Sequence, residues 1–102
     1  MKIKYNKNQS GLYIYLDGEL DEYSGRDVKE KMDELIDKNS NVPSVIFNMR
    51  NLTFMDSTGI GVLIGRYKKL KKLKIPAYIE NPSFNADKVF NVSGIYNLIP
   101  KL

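Results

Sequence analysis

Hydrophobic positions along this chain follow two spacings. Near the N-terminus they come at every second residue: Ile3 and Tyr5 alternate with lysines, and Leu12, Ile14 and Leu16 alternate with Tyr13 and Tyr15. That period predicts strands over Lys2–Tyr5 and Leu12–Asp17, joined by a turn at Asn8–Gly11. The spacing then becomes helical. Val28, Met32, Leu35 and Ile36 fall at i, i+4, i+7 and i+8, so an amphipathic helix is expected over Ser24–Lys38, with Asn39–Pro43 ending it. Ser24 followed by Asp27 reads as a capping box with Asp in place of Glu. Ser44–Met49 is short, mostly apolar and β-branched or aromatic, the pattern of a strand covered on both faces.

A second helix is predicted over Ile60–Leu73, with Ile60, Leu63, Ile64, Tyr67 and Leu70 as its buried stripe and Gly61, Gly65, Lys68, Lys69 and Lys72 opposite. Ala77–Glu80 reads as a further strand. Asn81-Pro82-Ser83 opens a third helix whose Ala86, Val89 and Phe90 face inward. Gly94 closes that helix, with Ser93 beside it shaping the end, and Ile95, Leu98 and Ile99 form a terminal packing segment. The order strand, strand, helix, strand, helix, strand, helix implies one α/β domain over residues 1–102. Its small mixed sheet is expected to have about four strands, packed by three to four helices.

Composition narrows the chemistry. With 102 residues there is room for one modest core. No apolar run approaches the roughly 20 residues of a membrane span, and the start MKIKYNKNQSG lacks the apolar centre of a secretory signal, so a cytoplasmic protein is expected. The absence of cysteine removes disulfides and thiolate sites. The absence of histidine removes the usual general base, any Ser-His-Asp triad and the commonest metal ligand, which argues against an enzyme and against a bound metal or cofactor. The net charge is +4 but lopsided: nine of the twelve carboxylates lie within Asp17–Asp37, whereas Arg66–Lys74 carries six cations and no anion. Such a run is ordinarily a solvated helix face, and its second reading is a docking surface for an acidic partner. With no aromatic residues interleaved on its exposed side, it does not read as a nucleic-acid patch.

The most informative stretch is Phe54–Arg66, FMDSTGIGVLIGR, where an apolar pair runs through Asp56, Ser57 and Thr58 into a helix. Small hydroxyls there either cap free backbone N–H groups or present an oxygen at the positive end of the helix dipole, where a phosphate is tolerated. Asp56 fits either the cap itself or an orienter of the Ser57 hydroxyl, and Thr58 reads as a first-turn residue. Gly59, Gly61 and Gly65 are each unfavourable inside a helix by about 1 kcal/mol against alanine. Gly61 and Gly65 lie opposite the predicted core stripe, beside Val62, so they are tolerated accidents, they relieve a tight neighbouring loop, or a partner approaches along that face.

Together, Gly18-Glu19-Leu20-Asp21, the Phe54–Gly59 motif and Ser93-Gly94 resemble the STAS domains, and within them the bacterial anti-sigma factor antagonists. The wording Gly61–Lys68 is closest to the antagonists of the sporulation sigma factor, then to those of the general-stress one. The resemblance implies a non-enzymatic switch. A partner that is both anti-sigma factor and serine protein kinase phosphorylates the hydroxyl after the Asp, here Ser57, and a type 2C protein phosphatase resets it. The unphosphorylated form binds that partner and releases the sigma factor. No nucleic acid and no membrane is implied as a partner. Asp21, in the family's GELD position, is expected at the partner surface with Asp56, Thr58, Gly59, Gly61, Val62 and Gly65, and Tyr23 and Ser24 lie alongside it. Family members usually extend into a last helix, whereas this sequence stops at Leu102. A reading of another class is a STAS adaptor that binds a nucleotide or lipid anion at the same helix N-terminus.

Overall fold

In the computed structural model, which describes all of residues 1–102, the alternating N-terminal segments pair as an antiparallel hairpin of β1 (Lys2–Asn8) and β2 (Gly11–Leu20). Helix α1 (Gly25–Lys38) leads to β3 (Val45–Asn48), which joins β2 in parallel. Then come β4 (Leu52–Met55), α2 (Ser57–Lys72), β5 (Ala77–Glu80) and α3 (Phe84–Ser93), followed by a short 3₁₀ turn over Ile95–Asn97. The strand order is β1-β2-β3-β5, with β4 pairing the far half of β2. No helix is long and apolar enough to cross a membrane.

The sheet therefore has five strands rather than about four. The additional one, β4, carries no alternation in its sequence: Leu52 and Met55 are buried while Thr53 and Phe54 are exposed. It is a strand because Gly18–Leu20 offers it a free edge once β3 has ended. The register shifts between Gly18 and Glu19, and Gly18 takes φ +117°, a conformation that favours glycine, at that break.

The core lies between one face of this sheet and the helices. Leu12, Ile14, Leu16, Val45, Phe47 and Ile79 meet Val28, Met32 and Ile36 of α1, Leu63 and Leu70 of α2, and Ala86 and Phe90 of α3 in one continuous cluster. At the C-terminus Ile95 and Ile99 are buried, whereas Leu98 is more exposed. The last residues run beside β5, with the Ile79 N–H donating to the Pro100 carbonyl and the Leu102 N–H to the Ile79 carbonyl. Asp87 anchors this end by accepting from the Tyr96 hydroxyl at 2.6 Å and from Lys101 at 3.1 Å.

Two local expectations change. Ser24 makes no capping hydrogen bond to α1; its hydroxyl donates to the Glu19 carbonyl at 2.8 Å and accepts from the Asp21 N–H at 3.1 Å, because the chain turns tightly before the helix. The buried side of α2 is also not the expected stripe. Leu63 and Leu70 are buried, but Ile60, Ile64 and Tyr67 are only half-buried, and Gly59 and Arg66 complete the inner side. Arg66 is thus not part of a solvated basic face: it is 6% exposed, with Nε 2.9 Å from Asp33 Oδ1. Lys69 reaches Asp37 at 2.8 Å. Part of the charge asymmetry is neutralised inside the molecule, across the α1–α2 contact. Burial lowers the pKa of Arg66, and the Asp33 charge opposes that shift.

Gly59 sits where a Cβ would lie 2.4 Å from Met55 Cγ and 3.0 Å from Leu20 Cγ, so α2 can approach the sheet here only without a side chain. At Gly61 a Cβ would meet nothing within 4 Å. Gly59→Ala is therefore expected to lower stability by about 1–2 kcal/mol, overpacking outweighing the gain in helix propensity. Gly61→Ala should raise it by up to about 1 kcal/mol. Parallel thermal melts of the two variants check the contrast.

Candidate functional site

Met55, the last residue of β4, delivers the chain to Asp56, whose backbone is extended (φ −112°, ψ −170°) and whose N–H reaches the Leu20 carbonyl at 3.4 Å. The Asp56 carboxylate accepts from the Thr58 N–H at 2.9 Å and from the Gly59 N–H at 3.4 Å. Asp56 is thus the N-cap of α2, the first of the two roles expected of it, which are compatible with each other. Ser57 is the first helical residue, is exposed, and its hydroxyl makes no hydrogen bond within the protein. The hydroxyl stands at the positive end of a 16-residue helix without being needed to cap it.

Ser57, Gly61 and Gly65 follow at four-residue spacing, so they form one row on the outer side of α2. A Cβ at Gly65, like one at Gly61, would meet nothing within 4 Å, which removes a tight neighbouring loop as the reason for either glycine. The result is a stretch of bare helix backbone running away from Ser57. Gly59 does not belong to it: it is buried against Met55 and Leu20, and its missing side chain serves internal packing.

One flank of this row is the turn that leads into α1. Asp21 accepts from the Tyr23 and Ser24 N–H groups, both at 3.0 Å, and these hydrogen bonds, the Ser24 one foremost, hold its carboxyl below the usual carboxylate range. The turn is pressed onto α2, since a Cβ on Gly25 would lie 3.1 Å from Thr58 Cγ2 and 3.6 Å from Val62 Cγ2. Tyr23, 87% exposed, stands out from it. Asp21 is thereby brought to the same side of the Ser57 row as Thr58 and Val62, which follow it by 37 and 41 residues in the chain.

The other flank is a groove of about 500 Å³ between the start of α2 and the side of α3, lined by Ser57, Ile60, Lys88, Val89, Val92 and Ser93 among others. Of its lining, Val92 is 90% exposed, and the exposed rings of Phe84 and Phe54 lie outside that lining. Lys88 is its one cation and rests 4.4 Å above the Phe84 ring. Sequence reasoning missed Lys88 and Val92. The available signal was that Val92 and Phe84 fall outside the inward stripe of Ala86, Val89 and Phe90. Elsewhere, no three or more Asp, Glu, His or Cys side chains come together to hold a metal ion.

A free serine on a capped helix start thus lies between an acidic turn and an apolar groove. The chain belongs to the STAS domain family, which it matches over residues 2–102. It is 28% identical over 100 residues to the anti-sigma F factor antagonist of Paenibacillus polymyxa, an alignment covering 98% of this chain and 85% of that one. Among solved structures it resembles the anti-sigma factor antagonist SpoIIAA in its unphosphorylated form, with a TM-score of 0.80 at 28% identity, over 99% of this chain and 88% of that one. It also resembles the Bacillus cell fate determinant SpoIIAA in the phosphorylated form, with a TM-score of 0.72 at 28% identity, over 99% and 91% of the two chains.

Asp56→Ala is expected to destabilise the protein by about 1 kcal/mol through loss of the cap, while Ser57→Ala changes stability by less than about 0.5 kcal/mol; urea unfolding compares them. Asp21 should add a pH dependence of known sign. Its carboxyl is depressed in the folded state, so its contribution is complete above about pH 4 and fades as acid protonates it. The Tyr23 and Ser24 amide shifts should follow that titration, and Asp21→Asn should abolish it.

Proposed function

We propose that this chain is an anti-sigma factor antagonist of the partner-switching kind, with Ser57 as its reversible phosphate acceptor. The observation that carries the reading is the Ser57 hydroxyl: exposed, unbonded, and directly behind a cap that already satisfies the helix. Phosphorylation there adds about −1.5 to −2 charges at a helix N-terminus, which the dipole tolerates. The helix stays folded and the surface changes. A dianion beside Asp56 repels an acidic partner group and carries a hydration shell that apolar contact cannot accept. The likeness to SpoIIAA in both phosphorylation states supports a switch that keeps the fold.

The partner is a serine protein kinase that is also the anti-sigma factor, and a type 2C protein phosphatase removes the phosphate. The chain itself does no chemistry: it presents a hydroxyl, and the catalytic groups belong to the partner. The unphosphorylated surface receives the kinase along Ser57, Gly61 and Gly65, with Asp21, Thr58 and Val62 on one side and Ile60, Val89 and Val92 on the other. The bare backbone at Gly61 and Gly65 permits an approach that any side chain would hold off.

Incubation with the host's anti-sigma kinases and Mg-ATP tests this. Phosphate should appear on Ser57, mapped by mass spectrometry, and be absent in Ser57→Ala; transfer to another residue, or none from any such kinase to the folded protein, overturns the assignment. Gly61→Ala should weaken kinase binding about tenfold or more without lowering the melting temperature, which separates an interface role from a structural one.

A further inference from the structure

All three helices send their buried residues to one face of the sheet, and the other face is left without a covering element. Ile46 shows this: it is 3% exposed, yet it stands apart from the core cluster that holds its neighbours Val45 and Phe47. Its shelter comes from the tyrosines around it. Strand register places Asn6, Tyr13, Ile46 and Tyr78 in one row across β1, β2, β3 and β5, and Lys4, Tyr15, Asn48 and Glu80 in the next. Tyr13 and Tyr15 stack at 6.5 Å, and Asn48 donates to Glu80 at 2.9 Å.

These two rows are self-complementary. A two-fold axis lying along the strands, midway between β2 and β3, turns each row end for end onto its copy. Lys4 then faces Glu80 of the second molecule, Tyr13 faces Ile46, Tyr15 faces Asn48, and Asn6 faces Tyr78. A cation meets an anion and an amide meets a phenol hydroxyl twice, while Ile46, already sheltered within its own molecule, adds little contact. The same operation supplies each contact in duplicate, as an isologous interface requires. The aligned face-to-face stacking of two twisted sheets provides the geometry.

We infer that the open sheet face is a homodimer interface, its occupant a second copy of this chain. The charges favour that occupant over nucleic acid, because Lys4 is balanced by Glu80, and Lys2 by its cross-strand partner Asp17. Strands about 4.8 Å apart make the patch small beside a standard interface, so the dimer is weak and depends on concentration. The face includes none of the residues around Ser57, so both switch surfaces stay free in the dimer.

Sedimentation velocity from about 10 µM to about 1 mM should show reversible dimerisation in that range. Lys4→Glu puts two glutamates opposite each other at both ends of the interface and should weaken the dimer about tenfold or more. The exchange Lys4→Glu with Glu80→Lys should restore it. Because Glu80→Lys also removes the bond to Asn48, circular dichroism confirms the fold of each variant, and amide shifts of Tyr13, Ile46 and Tyr78 followed on dilution of the unmodified protein locate the interface independently. Concentration-dependent shifts confined to this face support the inference. A monomer at all concentrations, shifts elsewhere, or a dimer indifferent to Lys4→Glu overturns it.

Discussion

Strand β2 is paired on both sides for most of its length, and on one side it changes partner part-way: β3 over Leu12–Tyr15, then β4 over Gly18–Leu20. The break between Gly18 and Glu19 allows that change, and the rest of the molecule is arranged around it. Pairing with the last residues of β2 fixes where β4 ends, and therefore where Asp56 and Ser57 begin α2. The same strand runs on through Leu20 into the Asp21 turn, which starts α1. One short parallel pairing thus brings the starts of two helices side by side and aligns their dipoles at one end of the sheet.

Close packing of those two helices follows from small residues at the crossing. Gly25 lets α1 lie against Thr58 and Val62, and Gly59 lets α2 lie against Leu20 and Met55. Further along, the contact becomes ionic. Arg66 and Asp33 are 2.9 Å apart but misaligned for a hydrogen bond, so the buried Arg66 Nε and Nη1 remain without hydrogen-bond partners. Burying a guanidinium is unfavourable unless its donors are met, so this pair adds less to stability than its short distance suggests. The outer row of α2 is free of such duties, which leaves Ser57, Gly61 and Gly65 available to a partner.

Much of the candidate site could be read in the chain because its parts are local. Asp56, Ser57 and Thr58 are consecutive, and capping chemistry depends on neighbours two and three residues away. What joins them from a distance could not be read this way. Lys88 and Val92 come to Ser57 only because α3 packs beside β4, and nothing in the spacing of the third helix states which way its exposed side faces. Spacing placed Gly61 and Gly65 opposite the core stripe, where they do border open space, but nothing local stated that Gly59 is buried against a methionine. Arg66 reads as one cation among six in a basic run; its burial depends on α1 offering Asp33 across the crossing.

By itself the sequence determined the periods of its strands and helices, the helix that begins behind Asp56, the turn at Gly94, and an economy of chemistry without histidine or cysteine. Each of these depends on interactions within a few residues, where backbone geometry and hydrophobic period act directly. Tertiary structure alone decided that Leu52–Met55 is a strand, that one sheet face is left to tyrosines, and which residues flank Ser57. A strand needs an edge to pair with and a surface needs a neighbour to cover it. Both are supplied by segments far away in the chain, whose arrival no local pattern records.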